Sequence, residues 1–200
     1  NQLNPVYDRV LGGLHGIEGT LAGKLFDLTD LSGRDLEILR QTPSSALGTC
    51  RYKLKRRNDA DFLRLVEVMD DHDIDTVFYI GGNDSMDTVD ALAEWAAENA
   101  PGKRFIGIPK TVDNDLVPVD HCPGFPSAAK YIATSCAEVW QDAHVYDTGM
   151  VTVIEIMGRH AGWLAGSAAL ASLTGCGPDL IYLPETDFDM DSFVSDVTAI

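Results

Sequence analysis

Apolar positions follow two rhythms along most of this chain. Asp75-Thr76-Val77-Phe78-Tyr79-Ile80 and Phe105-Ile106-Gly107-Ile108 are short, nearly continuous apolar runs bounded by Gly or Pro, as buried strands are. The Val- and Ile-rich run 150–156 and the run 180–183 before Pro184 read the same way. Between these runs, apolar residues recur at helical spacing. Phe62, Leu65, Val66 and Met69 share one face behind an Asn58 cap. Met86, Val89, Leu92, Ala93 and Ala96 share another, in a helix ending near Pro101-Gly102. A third carries Ala129, Ile132, Cys136, Val139 and Ala143, with Pro126 just inside its start. The Ala-rich stretch 158–173, stopped by Gly175, predicts a fourth helix.

Before Tyr52 the pattern is weaker. Residues 10–14 suit a strand, 16–22 a short helix, and 25–28 a weak strand or a loop; Ser32 suits the cap of a helix through Leu39. Strands alternating with helices predict the α/β class, with an open, mostly parallel sheet covered by helices on both faces. Pro118, Pro123 and Pro126 break the composition near residues 116–125, where the chain is expected to cross toward a second domain.

Composition narrows the partners. With 15 Lys and Arg against 31 Asp and Glu in 200 residues, the formal net charge is −16. That argues against nucleic acid or an anionic membrane as a general partner. It still admits an anionic substrate, because a local nest of cations and backbone N–H groups overrides the mean field. The four cysteines have no C-x-x-C spacing and no zinc-finger histidine offset, so they read as reduced, packed thiols of a cytoplasmic protein. No apolar run has membrane-spanning length. The first and last residues read as the middle of elements, which predicts a fragment, incomplete at both ends.

Four polar clusters follow the predicted strands. Gly81-Gly82-Asn83-Asp84-Ser85 has two glycines that let a ligand approach the backbone, then a helix start offering N–H groups to an anion. Asn83 or Asp84 can face a metal carried on phosphate oxygens. A tight turn with a polar helix cap explains the same residues without a ligand. Pro109-Lys110-Thr111-Val112-Asp113-Asn114-Asp115 packs a cation, a hydroxyl and two carboxylates into seven residues. Phosphoryl transfer to an alcohol uses all of these. Asp113 suits the proton acceptor, Lys110 offsets charge on the moving group, Thr111 donates to a phosphate oxygen, and Asp115 orients a sugar hydroxyl. The bland reading is a solvated Asx-turn loop.

In Glu155-Ile156-Met157-Gly158-Arg159-His160, Arg159 is suited to grip an anionic group. Met157 is most simply packing, and His160 a polar contact at a helix start. Pro184-Glu185 with Asp187, Asp189 and Asp191 reads as an acidic helix opening.

Three of these motifs, in this order and at these separations, resemble the phosphofructokinases. The resemblance runs from about Asp75 to Glu185, and the Pro109–Asp115 loop is its most specific part. It implies phosphorylation of the 1-hydroxyl of fructose 6-phosphate to the 1,6-bisphosphate, with Mg2+. It implies Asp113 as the base, with Thr111, Asp115, Met157, Gly158 and Arg159 on the sugar phosphate. Members that use ATP commonly carry Gly-Gly-Asp-Gly-Ser and Pro-Gly-Thr-Ile-Asp-Asn-Asp. Asp84 and Lys110 replace a glycine in each, which resembles the pyrophosphate-dependent branch. A carboxylate at Asp84 projects toward the place of the ATP α-phosphate, opposing it by charge and bulk, and Lys110 adds a cation for pyrophosphate. The reaction is expected to be reversible.

Asn83 stands where many members have Asp; its amide oxygen can ligate a metal directly or through water. Met150 stands about where members with a shared subunit interface place an Arg. On this resemblance, residues 1–116 belong to the domain that binds the phosphoryl donor, Gly82 included. Residues 117–200 cross into a second α/β domain that adds sugar-phosphate contacts. A Gly-rich opening segment is expected before Asn1 and further pocket residues beyond Ile200. A homo-oligomer is expected of the full-length protein. The alternatives are an ATP-dependent 6-phosphofructokinase and a non-catalytic regulatory subunit that binds sugar phosphates.

Overall fold

The computed structural model describes residues 6–55 and 59–200; the Asn58 cap lies outside them. The chain divides into two compact units, residues 1–108 and 109–200.

In the first unit, β1 (Leu11–Gly13) and β2 (Leu25–Asp27) pair antiparallel around α1 (Gly16–Leu21), with Gly12 opposite Phe26. The stretch read as a weak strand or a loop is therefore a strand. Its last residue, Asp27, accepts hydrogen bonds from the Thr29 backbone N–H and from Arg9 Nε. Thr29 and Arg9 hold that carboxyl down to about 2. Next, α2 (Gly33–Gln41) starts on a reciprocal capping box between Ser32 and Asp35.

The regular part is α3 (Asp59–Asp71), β3 (Thr76–Gly81), α4 (Asn83–Asn99) and β4 (Arg104–Pro109). β3 and β4 are hydrogen-bonded parallel neighbours joined through α4, the arrangement a helical crossover permits. Strand alternation decides which residues face the helices. Val77, Tyr79 and Phe105 pack on a buried cluster of Phe62, Leu65 and Met69 from α3 and Ala91 and Leu92 from α4. Phe62 meets Trp95 edge to face, ring centroids 5.6 Å apart. The alternate side chains Phe78, Ile80, Ile106 and Ile108 are exposed. On α3 the stripe is Phe62, Leu65, Val68 and Met69, and on α4 Ala91 is buried while Ala93 is exposed. Phe62, Leu65 and Met69 on α3 and Val89, Leu92 and Ala96 on α4 are buried as expected, while Val68 and Ala91 lie deeper than the expected Val66 and Ala93.

In the second unit, α5 (Phe125–Ala143) begins behind Gly124 with a proline in its first turn. The run 158–173 is not one helix. α6 (Trp163–Ser167) passes into a 3-10 helix over Ala168–Thr174. Ser167 Oγ donates to the Leu164 carbonyl at 2.6 Å, a local bond that competes with the α-helical ladder just where the helix tightens. Cys136, Ala168 and Ala171 form the core, with Ile132, Ala137 and Ile156 against it. The small alanines let the two helical pieces lie close to α5. The last element is α7 (Met190–Ala199), capped by the Asp189 side chain on the Ser192 N–H at 2.7 Å.

The expected strands at 150–156 and 180–183 join no ladder among the described residues. Val151 and Val153 are 71% and 77% exposed. Apolar, β-branched content measures how well a segment suits a sheet, while a strand exists only where a neighbour takes up its N–H and C=O groups.

Leu92 has no exposed surface and sits at the centre of the first unit's core. Leu92→Ala is expected to lower unfolding free energy by about 2–5 kcal/mol, read from urea denaturation.

Candidate functional site

The turn after β3 is shaped by lack of room. A side chain at Gly81 would overlap Ser85 Oγ, so only glycine lets the first turn of α4 press against the strand end. Gly82 is the N-cap and supplies no side-chain bond; its carbonyl accepts from the N–H groups of Ser85 at 2.9 Å and Met86 at 3.1 Å. A helix start without a side-chain cap is one that anions bind. Asn83 and Asp84 follow, both exposed. Asp84 accepts a hydrogen bond from Lys53 Nζ at 2.7 Å. Sequence reasoning did not single out Lys53, and 31 residues of separation leave no local signal of the pair. The carboxylate at Asp84 thus carries its own counter-cation.

The loop after β4 is held at three points. Thr111 Oγ1 accepts the Asp113 N–H at 3.1 Å, a side-chain turn that fixes Asp113 relative to Thr111. A side chain at Gly124 would press on Val112. Asn114 is 6% exposed with a left-handed φ of 58°. Its Oδ1 accepts the Cys122 N–H at 2.7 Å and its Nδ2 donates to the Asp120 carbonyl at 3.0 Å. Asp113 and Thr111 are half-buried, while Lys110 and Asp115 are exposed. Asn114 was not among the residues expected to act. The signal for it was present in the sequence, because Asn is among the few residues that enter the left-handed region readily.

The third motif follows Ile156, which packs on the core. Met157 is 70% exposed, so its side chain is not packing as the simplest reading had it. Arg159 is exposed too. Gly158 has φ 156°, and a side chain there would overlap the Ala161 carbonyl oxygen. Gly162 N–H donates to Glu185 Oε1 at 2.6 Å. Glu185, read from sequence as part of an acidic helix opening, is thereby tied to the turn that carries Arg159. Asp189 alone does the capping.

Glu185, Gly162, Asn114, Asp120 and His121 line an open cleft of about 910 Å³ with the apolar face of α5. Lys110, Thr111, Asp113, Asp115, Met157, Gly158 and Arg159 are not among its lining residues. The structure therefore brings one member of the Pro109–Asp115 loop, Asn114, and the Gly162 neighbour of the Glu155–His160 motif to this cleft.

Comparison with known proteins adds the family. The phosphofructokinase family model matches residues 4–200. A protein of Rhodospirillum rubrum named pyrophosphate–fructose 6-phosphate 1-phosphotransferase is 44% identical over 192 residues, covering 96% of this chain and 46% of its own. The crystal structure of pyrophosphate-dependent phosphofructokinase from Nitrosospira multiformis superposes with a TM-score of 0.88 at 39% identity, over 99% of this chain and 50% of that one. The crystal structure of pyrophosphate-dependent phosphofructokinase from Marinobacter aquaeolei gives 0.84 at 40% identity, over 96% and 48%. The α/β fold expected from the sequence is the fold of these structures. This chain spans about half the length of the relatives it matches.

Gly158→Ala tests the turn before Arg159. The substitution forces a side chain into a backbone region that costs about 1–3 kcal/mol. A loss of that size in urea denaturation is expected, with faster proteolysis across 157–162.

Proposed function

This chain belongs to the phosphofructokinase family, and from that membership we propose that the whole protein transfers a phosphoryl group from pyrophosphate to the 1-hydroxyl of fructose 6-phosphate. The products are fructose 1,6-bisphosphate and phosphate. The observation that carries the reading is the presence of Asp84 and Lys110 inside the family's two phosphate motifs. The name of the Rhodospirillum rubrum relative supports it.

In this reading Asp113 takes the proton from the 1-hydroxyl as its oxygen attacks phosphorus, and the bond from phosphorus to the bridging oxygen breaks. Lys110 offsets the charge that builds on the transferred group, and Thr111 donates to one of its oxygens. Asp115 orients the sugar, and Arg159, with the backbone of Met157 and Gly158, grips the sugar phosphate. The donor lies against Gly82 and the start of α4. Asp84 discriminates against ATP mainly by occupying space, since Lys53 at 2.7 Å offsets its charge. The same ion pair holds an ammonium close to the donor motif.

Residues 1–116 contribute the donor side and residues 117–200 the sugar-phosphate side. Asn83, exposed in the first turn of α4, offers an amide oxygen that suits Mg2+, a cation that keeps several waters and phosphate ligands rather than a protein cage. Bound with pyrophosphate, it would neutralise phosphate charge. Pyrophosphate and the product ester have similar phosphoryl potential, so the reaction runs both ways, as a step of glycolysis and gluconeogenesis. We place the full-length protein in the cytoplasm as a homo-oligomer without membrane or nucleic-acid partners. No helix among the described residues is long and apolar enough to cross a membrane.

Three measurements on the full-length protein test this. Pyrophosphate is expected to support turnover far better than ATP, and equal turnover with ATP would refute the donor assignment. Replacing both Asp84 and Lys110 with Gly is expected to cut kcat/KM for pyrophosphate by about 100-fold or more and to raise it for ATP. Asp113→Ser should lower kcat by orders of magnitude with sugar-phosphate binding nearly unchanged; unchanged turnover removes Asp113 from the mechanism.

A further inference from the structure

The loop from Lys110 to Asp115 places a buried amide between two carboxylates. Asn114 is 6% exposed, Asp113 half-buried and Asp115 exposed. Both ends of the Asn114 carboxamide are used, and each is used correctly. The oxygen faces an N–H, that of Cys122 at 2.7 Å, and the NH2 faces a carbonyl, that of Asp120 at 3.0 Å. Exchanging oxygen and nitrogen would set donor against donor and acceptor against acceptor, so the pairing fixes the orientation of the group. Cys122 is 1% exposed. Its own carbonyl accepts the Phe125 N–H at 3.1 Å, and Phe125 is the first residue of α5. The bonds therefore run from the loop to the start of a 19-residue helix. Val112, two residues earlier, lies where a side chain at Gly124 would press on it. Asp113 lies between these two anchors.

We propose that Asn114 is the positioning residue of this loop: its buried carboxamide, bonded to Asp120 and Cys122, holds Asp113 where it accepts the proton of the sugar hydroxyl. The proposal rests on the reaction given above. A left-handed residue at the middle position sends its own side chain inward, while the flanking carboxylates keep access to solvent. Asn enters this backbone region with less strain than residues of other shape. Asp would keep the shape but set an oxygen against the Asp120 carbonyl and add a third carboxylate to the loop. Gly would keep the backbone and lose both bonds.

The test compares wild type, Asn114→Gly and Asn114→Asp in the full-length enzyme, by steady-state kinetics, thermal unfolding and amide exchange at Cys122. Displacing a reacting group by about 1 Å is enough to lose about 100-fold in rate. Asn114→Gly is expected to lose about that much in kcat, with KM for pyrophosphate within about threefold of wild type and faster exchange at Cys122. Asn114→Asp, which keeps one of the two bonds, is expected to fall between. A folded Asn114→Gly enzyme with kcat within about twofold of wild type overturns the proposal. So does a loss that vanishes once activity is expressed per folded molecule. If Asn114→Gly does not fold, Asn114→Asp decides on the same criteria. A wild type that ignores pyrophosphate counts against the proposed donor and not against the clamp; the kcat comparison is then made with ATP.

Discussion

A charged loop leaving a sheet loses the partners that ordered the strand before it. In the stretch from Lys110 to Asp115 the buried anchor is one side chain. Asn114 takes an N–H from Cys122 and gives one to Asp120, replacing a ladder with a clamp. Unmade hydrogen bonds in a buried position cost more than made ones contribute, so a buried amide bonded at both its oxygen and its nitrogen specifies one loop shape. Asp113 and Asp115 flank that anchored residue.

The other strand-end motifs use shape instead of bonding. At Gly81 the first turn of α4 comes too close for a side chain, and at Gly158 the Ala161 carbonyl does. Both let the backbone pass closer to its neighbours than any side chain would allow. Charge is then added locally. Lys53 on Asp84 and the exposed Lys110 and Arg159 are cations in a chain whose net charge is −16. Local cations of this kind can oppose the mean field of an acidic chain at short range.

Several elements were legible from pattern alone. Helical periodicity placed α3, α4 and α5, and the short apolar runs placed β3 and β4, because burial along one element repeats with that element's own geometry. The Pro109–Asp115 motif stood out in the sequence as well, with Lys, Thr and two Asp within seven positions, beside the plain reading of a solvated turn. The run 150–156 was misread because its composition suits a sheet that its backbone does not join among the described residues. The stretch 158–173 was misread because alanine spacing does not register Ser167 bonding to Leu164.

By itself, then, the sequence determined the α/β alternation, the order of the motifs and the chemical groups they carry. Only the tertiary structure decided which of those groups have partners: Lys53 for Asp84, Glu185 for Gly162, and Asp120 and Cys122 for Asn114. The division has a physical cause. Periodicity records how one element meets the core. Pairing of side chains depends on where the folded backbone returns, and no local pattern encodes that over separations such as the 31 residues between Lys53 and Asp84 or the 23 between Gly162 and Glu185.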